Sequence, residues 1–214
     1  METRVIDVTP DSTAHIAAEA LEVLVDCGVV AIPTDTVYGL AVRADDDRAV
    51  LRLFDVKGRP ETNPLPILIP DAQFFGRVCS LVPEAALLLA ERFWPGPLTL
   101  VVPKAPEISD RVTAGKKTVG VRVPDHFAAR AVLAACPFPV AVSSANAAGD
   151  APAVDEGQVV GAFSGMVELI IAAGSCPGGV PSTVVDVSGP RWAILRQGAL
   201  SEEEIVGVLG PAPC

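Results

Sequence analysis

VVAIPTDTVYGL, residues 29–40, decides how the chain folds. Its first four residues, Val29 to Ile32, are an uninterrupted apolar run suited to a strand buried on both faces, and Pro33 ends it. Just upstream, residues 12–26 place Ile16, Ala20, Val23 and Leu24 on one helical face, with Gly28 as the stop. A helix feeding a fully buried strand is the repeating step of an α/β protein. The cluster Thr34, Asp35, Thr36 then follows the strand, where polar groups are placed to line a pocket. The same residues also make an ordinary turn, punctuated by Pro33 and Gly39.

Outward from this stretch the alternation continues. Residues 47–56 read as a helix through Val50, Leu51, Leu53, Phe54 and Val56. Leu65–Ile69, Leu98–Val102, Val119–Val123 and Val140–Ser143 read as strands, with Pro83–Phe93 and His126–Ala135 as helices between them. Pro83 suits a first helical turn. A loop is expected around 147–158, then a late group of strands at Leu169–Ala172, Thr183–Val187 and Ala193–Arg196. Ser201 with Glu204 three residues on is a capping box for a short final helix. These elements make an α/β single domain with a mixed sheet.

With 214 residues, half of them apolar and 20% charged, the chain can bury a sizeable core. It lacks an apolar run of roughly 20 residues for a membrane span; the nearest, Ala131–Val142, contains Pro137 and Pro139. Residues 1–8, METRVIDV, show no secretory pattern, so a cytoplasmic enzyme is expected. Five scattered cysteines (Cys27, Cys79, Cys136, Cys176, Cys214) and two histidines (His15, His126) offer no zinc-site spacing, and no protein metal site is expected. The net charge of −10 opposes a general nucleic-acid binder. Between Arg43 and Arg130, however, 13 Lys/Arg face 11 Asp/Glu, a local +2 that fits a confined pocket for a small anion.

The two commonest nucleotide-phosphate loops are missing; Gly115-Lys116 lacks the earlier glycine of one of them. No GxSxG elbow or HExxH pair is present either. Three further polar clusters sit at the ends of apolar runs. Lys57-Gly58-Arg59-Pro60, with Asn63 close behind, sets two cations around a glycine, where they can converge on one polyanion. The alternative is a solvated helix end whose cations suit the dipole. Ser143-Ser144-Ala145-Asn146 can position a substrate or simply form a loop. Ser182 to Asp186, with Ile194 to Gly198, brings Arg196 to the end of an apolar strand, as a site residue or a surface one.

Taken in order, PTDTVYGL, KGRP with NPL, FWPGPLTLV, VGVRVPDH, SSAN and STVVDV with ILRQG resemble the YrdC/Sua5 family from about residue 12 to 205. The resemblance implies a single-domain YrdC-like fold, a twisted mixed sheet with flanking helices and a concave basic cavity. The YrdC-like domain would occupy 12–205, with 206–214 a short C-terminal tail and no further domain of the longer Sua5 type. The implied activity is synthesis of threonylcarbamoyl-adenylate from L-threonine, bicarbonate and ATP, for modification of an adenosine of tRNA. The family's KxR…SxN signature falls on Lys57, Arg59, Ser144 and Asn146. Thr36, Arg122 and Ser182 would hold threonine; Asn63, Thr118, Ser144 and Arg196 would join Arg59 around ATP. Two positions depart from the pattern: Leu68 stands where many members carry histidine or a basic residue, and Ala148 replaces a common serine.

Adenylate formation brings anions together, so positioning and charge neutralisation are the main demands. Lys57 and Arg59 are expected on the triphosphate and Arg122 on the threonine carboxylate, while Asp35 can orient neighbouring groups or cap the turn, the second being favoured. Mg2+ is expected with ATP, held mainly by phosphates and water. The product would pass to a separate tRNA threonylcarbamoyl transferase, with weak or no direct tRNA binding and no membrane partner. Two other readings stand beside this one. The first is an RNA-binding module without catalysis, disfavoured by the acidic total and by 5% aromatics. The second is the carbamoyl-adenylate chemistry of hydrogenase maturation, found in much longer proteins.

Overall fold

A computed structural model describes residues 2–9, 11–147 and 149–211. In chain order the elements are β1 (Arg4–Asp7), α1 (Thr13–Val25), β2 (Val30–Ile32), β3 (Gly39–Arg43), α2 (Asp47–Lys57), β4 (Ile67–Leu68), α3 (Glu84–Phe93), β5 (Leu98–Pro103) and β6 (Thr118–Arg122). They continue with α4 (Phe127–Ala135), β7 (Val140–Ser144), α5 (Glu156–Phe163), β8 (Leu169–Ala172), β9 (Thr183–Asp186), β10 (Ala193–Arg196) and α6 (Glu202–Leu209). A 3-10 turn, Ala72–Arg77, precedes α3.

All ten strands form one mixed sheet in the order β1-β8-β2-β3-β7-β4-β6-β5-β9-β10. The α/β class with a mixed sheet holds. Its late strands do not form one group: β8 sits between β1 and β2, while β9 and β10 form the opposite edge. Three elements are additions to the sequence reading. β1 pairs in parallel with β8, β3 continues the polar cluster after Tyr38, and α5 replaces the end of the expected loop. Pro83 stands one residue ahead of α3, as its N-cap. The capping box of α6 is present, Glu204 N–H donating to Ser201 Oγ and Ser201 N–H to Glu204 Oε2.

The sheet divides two apolar clusters. On one face α2, α3, α5 and α6 bury Leu53, Phe54, Leu89, Phe163 and Ile205 against Leu100, Val119, Val121 and Ile170. On the other, α1 and α4 pack together over β8, β2, β3 and β7, through Ile16, Leu24, Val132 and Leu133 against Val30, Ile32, Ala41 and Ile171. That helix pair covers only half of its face. Across β4, β6, β5 and β9 the same face carries Leu68, Thr118, Gly120, Arg122, Thr99, Val101, Val184 and Asp186, and these line a cavity. Alternation makes this possible: Val119 and Val121 point into the core while Thr118, Gly120 and Arg122 point away from it. Folding therefore leaves one half-face of small and polar side chains uncovered, and the candidate site lies there.

Among the described residues no helix is long and apolar enough to cross a membrane. Cys79, Cys136 and Cys176 are buried, Cys27 is half-buried, and all four are free thiols. Cys214 and Ala148 lie outside the described residues.

Candidate functional site

The cavity has a volume of about 520 Å³ and runs along the uncovered half-face. Four cations, Arg59, Lys116, Arg122 and Arg196, share its wall with one carboxylate, Asp186. Its two ends differ.

At one end Arg122 closes β6, almost fully buried. Its Nε donates to Gly96 O (2.9 Å), Nη1 to Thr36 Oγ1 (2.9 Å) and Nη2 to Asp35 Oδ1 (2.6 Å). Burial pulls its pKa down, and the neighbouring Asp35 carboxylate opposes that shift. The guanidinium has five N–H donors, so two remain for a ligand. Thr36 Oγ1 and Thr34 Oγ1 are 2.9 Å apart, and Thr34 Oγ1 donates to Val37 O (2.7 Å). The Thr36 proton therefore points at Thr34. Across the floor Ser182 Oγ shares a hydrogen bond with Thr99 Oγ1 (2.8 Å) and accepts from Arg196 Nη2 (3.2 Å). The structure thus brings Thr36, Arg122 and Ser182 together.

Asp35 is not the turn cap that the sequence suggests. Thr34 Oγ1 fills that role, accepting from Thr36 N and Val37 N. The Asp35 carboxylate instead accepts from Arg122 and from Asp125 N (2.9 Å), locking the guanidinium in place.

The other end depends on the close of α2. Gly58 adopts the left-handed conformation (φ 59°), open to glycine without a Cβ penalty. Gly58 N donates to Asp55 O and Arg59 N to Phe54 O, the pair of bonds that reverses a chain at a helix end. Lys57 and Arg59 consequently part company. Arg59 lines the cavity, with Nη1 reaching Ser143 Oγ (3.4 Å) and Nη2 donating to Pro64 O (3.2 Å). Burial, then repulsion from Arg196, lowers its pKa. Such unrelieved crowding of guanidinium groups favours an anionic ligand.

Lys57 is buried behind the loop and is not on the cavity wall. Its Nζ donates to Ser144 O, to Asn146 O (2.8 Å) and to Asn146 Oδ1 (3.2 Å). Three N–H donors meet three acceptors. Burial first, and then the Arg59 charge, bring its pKa down to about 8. Asn146 is committed as well: Nδ2 donates to Ala147 O and Asp150 O, both 2.9 Å, while Oδ1 also accepts from Ser144 Oγ (2.5 Å). Its side borders a smaller cavity of about 340 Å³ on the far side of the loop. The expected convergence of Lys57 and Arg59 on one polyanion is therefore corrected. Arg59 and Ser144 face the main cavity, and Lys57 and Asn146 brace the loop from behind.

Thr118 and Arg196 line the cavity, Arg196 also donating to Ser182 O (2.8 Å). Asn63 is exposed and outside the wall; Pro64, Leu65 and Pro66 take that stretch of it. Leu68 lies on the wall beside Arg122 in register, so the departure noted there sets an apolar side chain against the guanidinium. Sequence reasoning missed Thr99, Gly120, Lys116 and Asp186. The first two were marked by the strand alternation around them. Lys116 follows Gly115 in a loop without the earlier glycine of a phosphate loop, so no motif marks it. Asp186 Oδ1 accepts from Ser188 N (2.9 Å) and Ser188 Oγ (2.6 Å).

Comparison with known proteins adds the following. A family model described as Sua5/YciO/YrdC, telomere recombination, matches residues 22–198. A threonylcarbamoyl-AMP synthase of Pyrococcus abyssi is 43% identical over 182 residues, 85% of this chain and 54% of the relative. One from Bacillus subtilis is 38% identical over 209 residues, 96% of this chain and 60% of the relative. The crystal structure of P. abyssi Sua5 complexed with L-threonine superposes with a TM-score of 0.93 at 40% identity, covering 97% of this chain and 61% of that one. The chain thus spans little more than half the length of these relatives.

Proposed function

The chain belongs to the Sua5/YciO/YrdC family, and from that premise we propose that it is a nucleotidyltransferase forming threonylcarbamoyl-AMP and pyrophosphate from L-threonine, bicarbonate and ATP. The product would serve N6-threonylcarbamoyladenosine formation in tRNA. The observation that carries this reading is the convergence of six separated segments on one cavity, with a hydroxyl-rich end at Arg122 and a cationic end at Arg59. The relatives' shared name and the threonine complex of P. abyssi Sua5 support it.

In the proposed mechanism Arg122, held by Asp35, takes the threonine carboxylate on its two free N–H groups. Thr36 and Ser182 orient the rest of the amino acid. The threonine amine adds CO2, in equilibrium with bicarbonate, to give the N-carbamate and release a proton. A carbamate oxygen attacks the α-phosphorus of ATP. The bond from that phosphorus to the bridging oxygen breaks, and its electron pair leaves with pyrophosphate. Arg59, Arg196 and Thr118 line the phosphate path and neutralise charge as it develops. Ser144, its proton on Asn146 Oδ1, presents its hydroxyl oxygen from a loop whose position Lys57 and Asn146 maintain. Lys57 thus acts through the loop, as a positioning residue.

Among the described residues no group of three metal-binding side chains exists. One wall carboxylate, Asp186, whose Oδ2 makes no hydrogen bond among the described residues, fits a magnesium ion carried mainly by phosphate oxygens and water. Such an ion would neutralise the leaving pyrophosphate.

The test is pyrophosphate release by purified protein given ATP and bicarbonate. Threonine should be required, and valine should not replace it, since a site that hydrogen-bonds a hydroxyl rejects the isostere lacking one. Turnover with carbamoyl phosphate and no threonine would instead assign carbamoyl-adenylate chemistry.

A further inference from the structure

Lys116 has no part in the roles assigned so far, yet it stands on the cavity wall. It follows a turn built with unusual constraint. Ala114 (φ 51°) and Gly115 (φ 76°) both take positive φ, and Lys116 N donates to Thr113 O (3.0 Å). This is the tight mirror-image turn that favours glycine or asparagine, here with alanine at its first central position. An alanine held there stores strain, which persists only where the surroundings over-determine it. They do so here: fully buried Thr113 donates through Oγ1 to Lys116 O (2.9 Å), and Gly115 N donates to Asp110 O (2.8 Å).

The charge environment is as informative. Two nearby cations are matched, Lys104 with Asp110 (2.8 Å) and Arg111 with Asp47 (3.3 Å) and Glu61 (2.6 Å). Among the described residues Lys116 has no carboxylate at ion-pair distance. It is also tied to Arg59 by a short route. Arg59 donates to Pro64 O, and the next residue, Leu65, donates through its N–H to Val112 O, beside the Lys116 turn.

We infer that Lys116 binds the β- and γ-phosphates of ATP and the pyrophosphate released from them. This rests on the proposed reaction. In-line displacement puts the attacking oxygen and the leaving oxygen on opposite sides of the α-phosphorus. The attacking carbamate is anchored through threonine at Arg122, four residues along β6 from Thr118 and so roughly 13 Å away. The leaving group must then depart toward the Thr118 end, where Lys116 and Arg59 stand. A lysine on a rigid turn supplies a mobile point charge for a moving polyanion.

The experiment uses Lys116→Ala and Lys116→Arg, with calorimetric titration of inorganic pyrophosphate and, separately, AMP. Pyrophosphate affinity should fall ~10-fold in Lys116→Ala, the size of one hydrogen bond to a charged group, and recover in Lys116→Arg. AMP affinity and the KM for threonine should stay within about twofold. Equal pyrophosphate binding by wild type and Lys116→Ala overturns the inference, as does an equal loss for AMP or the absence of pyrophosphate binding by wild type. Because the titration needs no turnover, failure of the proposed reaction shows separately, as wild type that binds pyrophosphate but never releases it in response to threonine.

Discussion

Lys57 and Arg59 stand two residues apart and are expected to fail differently when removed. Arg59→Ala takes a cation off the cavity wall, so kcat/KM for ATP should drop at least ~100-fold, with a raised KM. Lys57→Ala leaves Ser144 O, Asn146 O and Asn146 Oδ1 without their buried donor, so the loop should shift. Its loss, also ~100-fold, should fall mainly on kcat. Steady-state kinetics at saturating threonine separate the two patterns, and a pure KM effect in Lys57→Ala would contradict the brace. Proton linkage gives a second check. The folded pKa of Lys57, about 8, is below its ordinary 10.5. Between those values the unfolded chain binds more protons, so this group's contribution to stability rises with pH, its burial penalty being complete only below about 8. Activity should move the other way. Deprotonation leaves two N–H donors for three acceptors, and kcat/KM, which reports the free enzyme, should fall as pH rises through about 8 while the circular dichroism is unchanged. A kcat/KM flat up to pH 9.5 would rule the brace out. From the sequence, the chemistry of Lys57, Arg59, Ser144 and Asn146 was legible as a set. Their split around the loop was not, because it depends on the left-handed turn at Gly58 and on a carbonyl contact 87 residues away.

At the scale of elements, legibility followed burial. Strands β5 and β6 were legible as short apolar runs, and α1 by its one apolar face. β1 did not: RVID has no buried residue, and it becomes a strand only because β8 supplies its partner. β3 was hidden behind the polar cluster that precedes it. α5 carries Gly157 and Gly161, poor helix formers. Its one clear mark was Asp155 three residues before Gln158, whose N–H donates to the Asp155 side chain. The half-face left bare by α1 and α4 makes β6 the floor of the site, and Gly120 lies on it. A Cβ there would stand 3.2 Å from Thr99 Cγ2 and 3.4 Å from Pro66 Cβ. Gly120→Val should therefore crowd the ligand out of the cavity while the strand keeps its pairing. Binding of ATP and threonine, followed by calorimetry, should become undetectable. The stability cost, read from denaturant unfolding, should be about 1–3 kcal/mol, the range for overpacking. Wild-type affinity in this variant would mean that the ligand does not cross the floor at Gly120.

For the whole molecule, charge argues about what the cavity can hold. The chain carries −10, and its acidic excess lies outside the Arg43–Arg130 stretch. Six of the thirteen basic side chains there are paired with carboxylates: Arg43 with Asp45, Arg48 with Asp46, Arg52 with Glu168, Lys104 with Asp110, Arg111 with Asp47 and Glu61, Arg122 with Asp35. Arg59 and Lys116, with Arg196 from outside the stretch, have no carboxylate partner among the described residues and line one cavity. Holding a tRNA through its phosphates takes several such cations, and affinity then falls steeply as salt displaces them. Three cations inside a pocket cannot track a backbone, and ATP would compete for them directly. In about 150 mM salt, tRNA should bind no tighter than the ~10⁻⁴–10⁻⁶ M of non-specific contacts, and saturating ATP should weaken even that. The adenylate would then have to leave the cavity for a separate protein that holds the tRNA. A fluorescence titration of labelled tRNA, with and without ATP, checks this. Sub-micromolar affinity untouched by ATP would place an RNA surface on this chain away from the cavity.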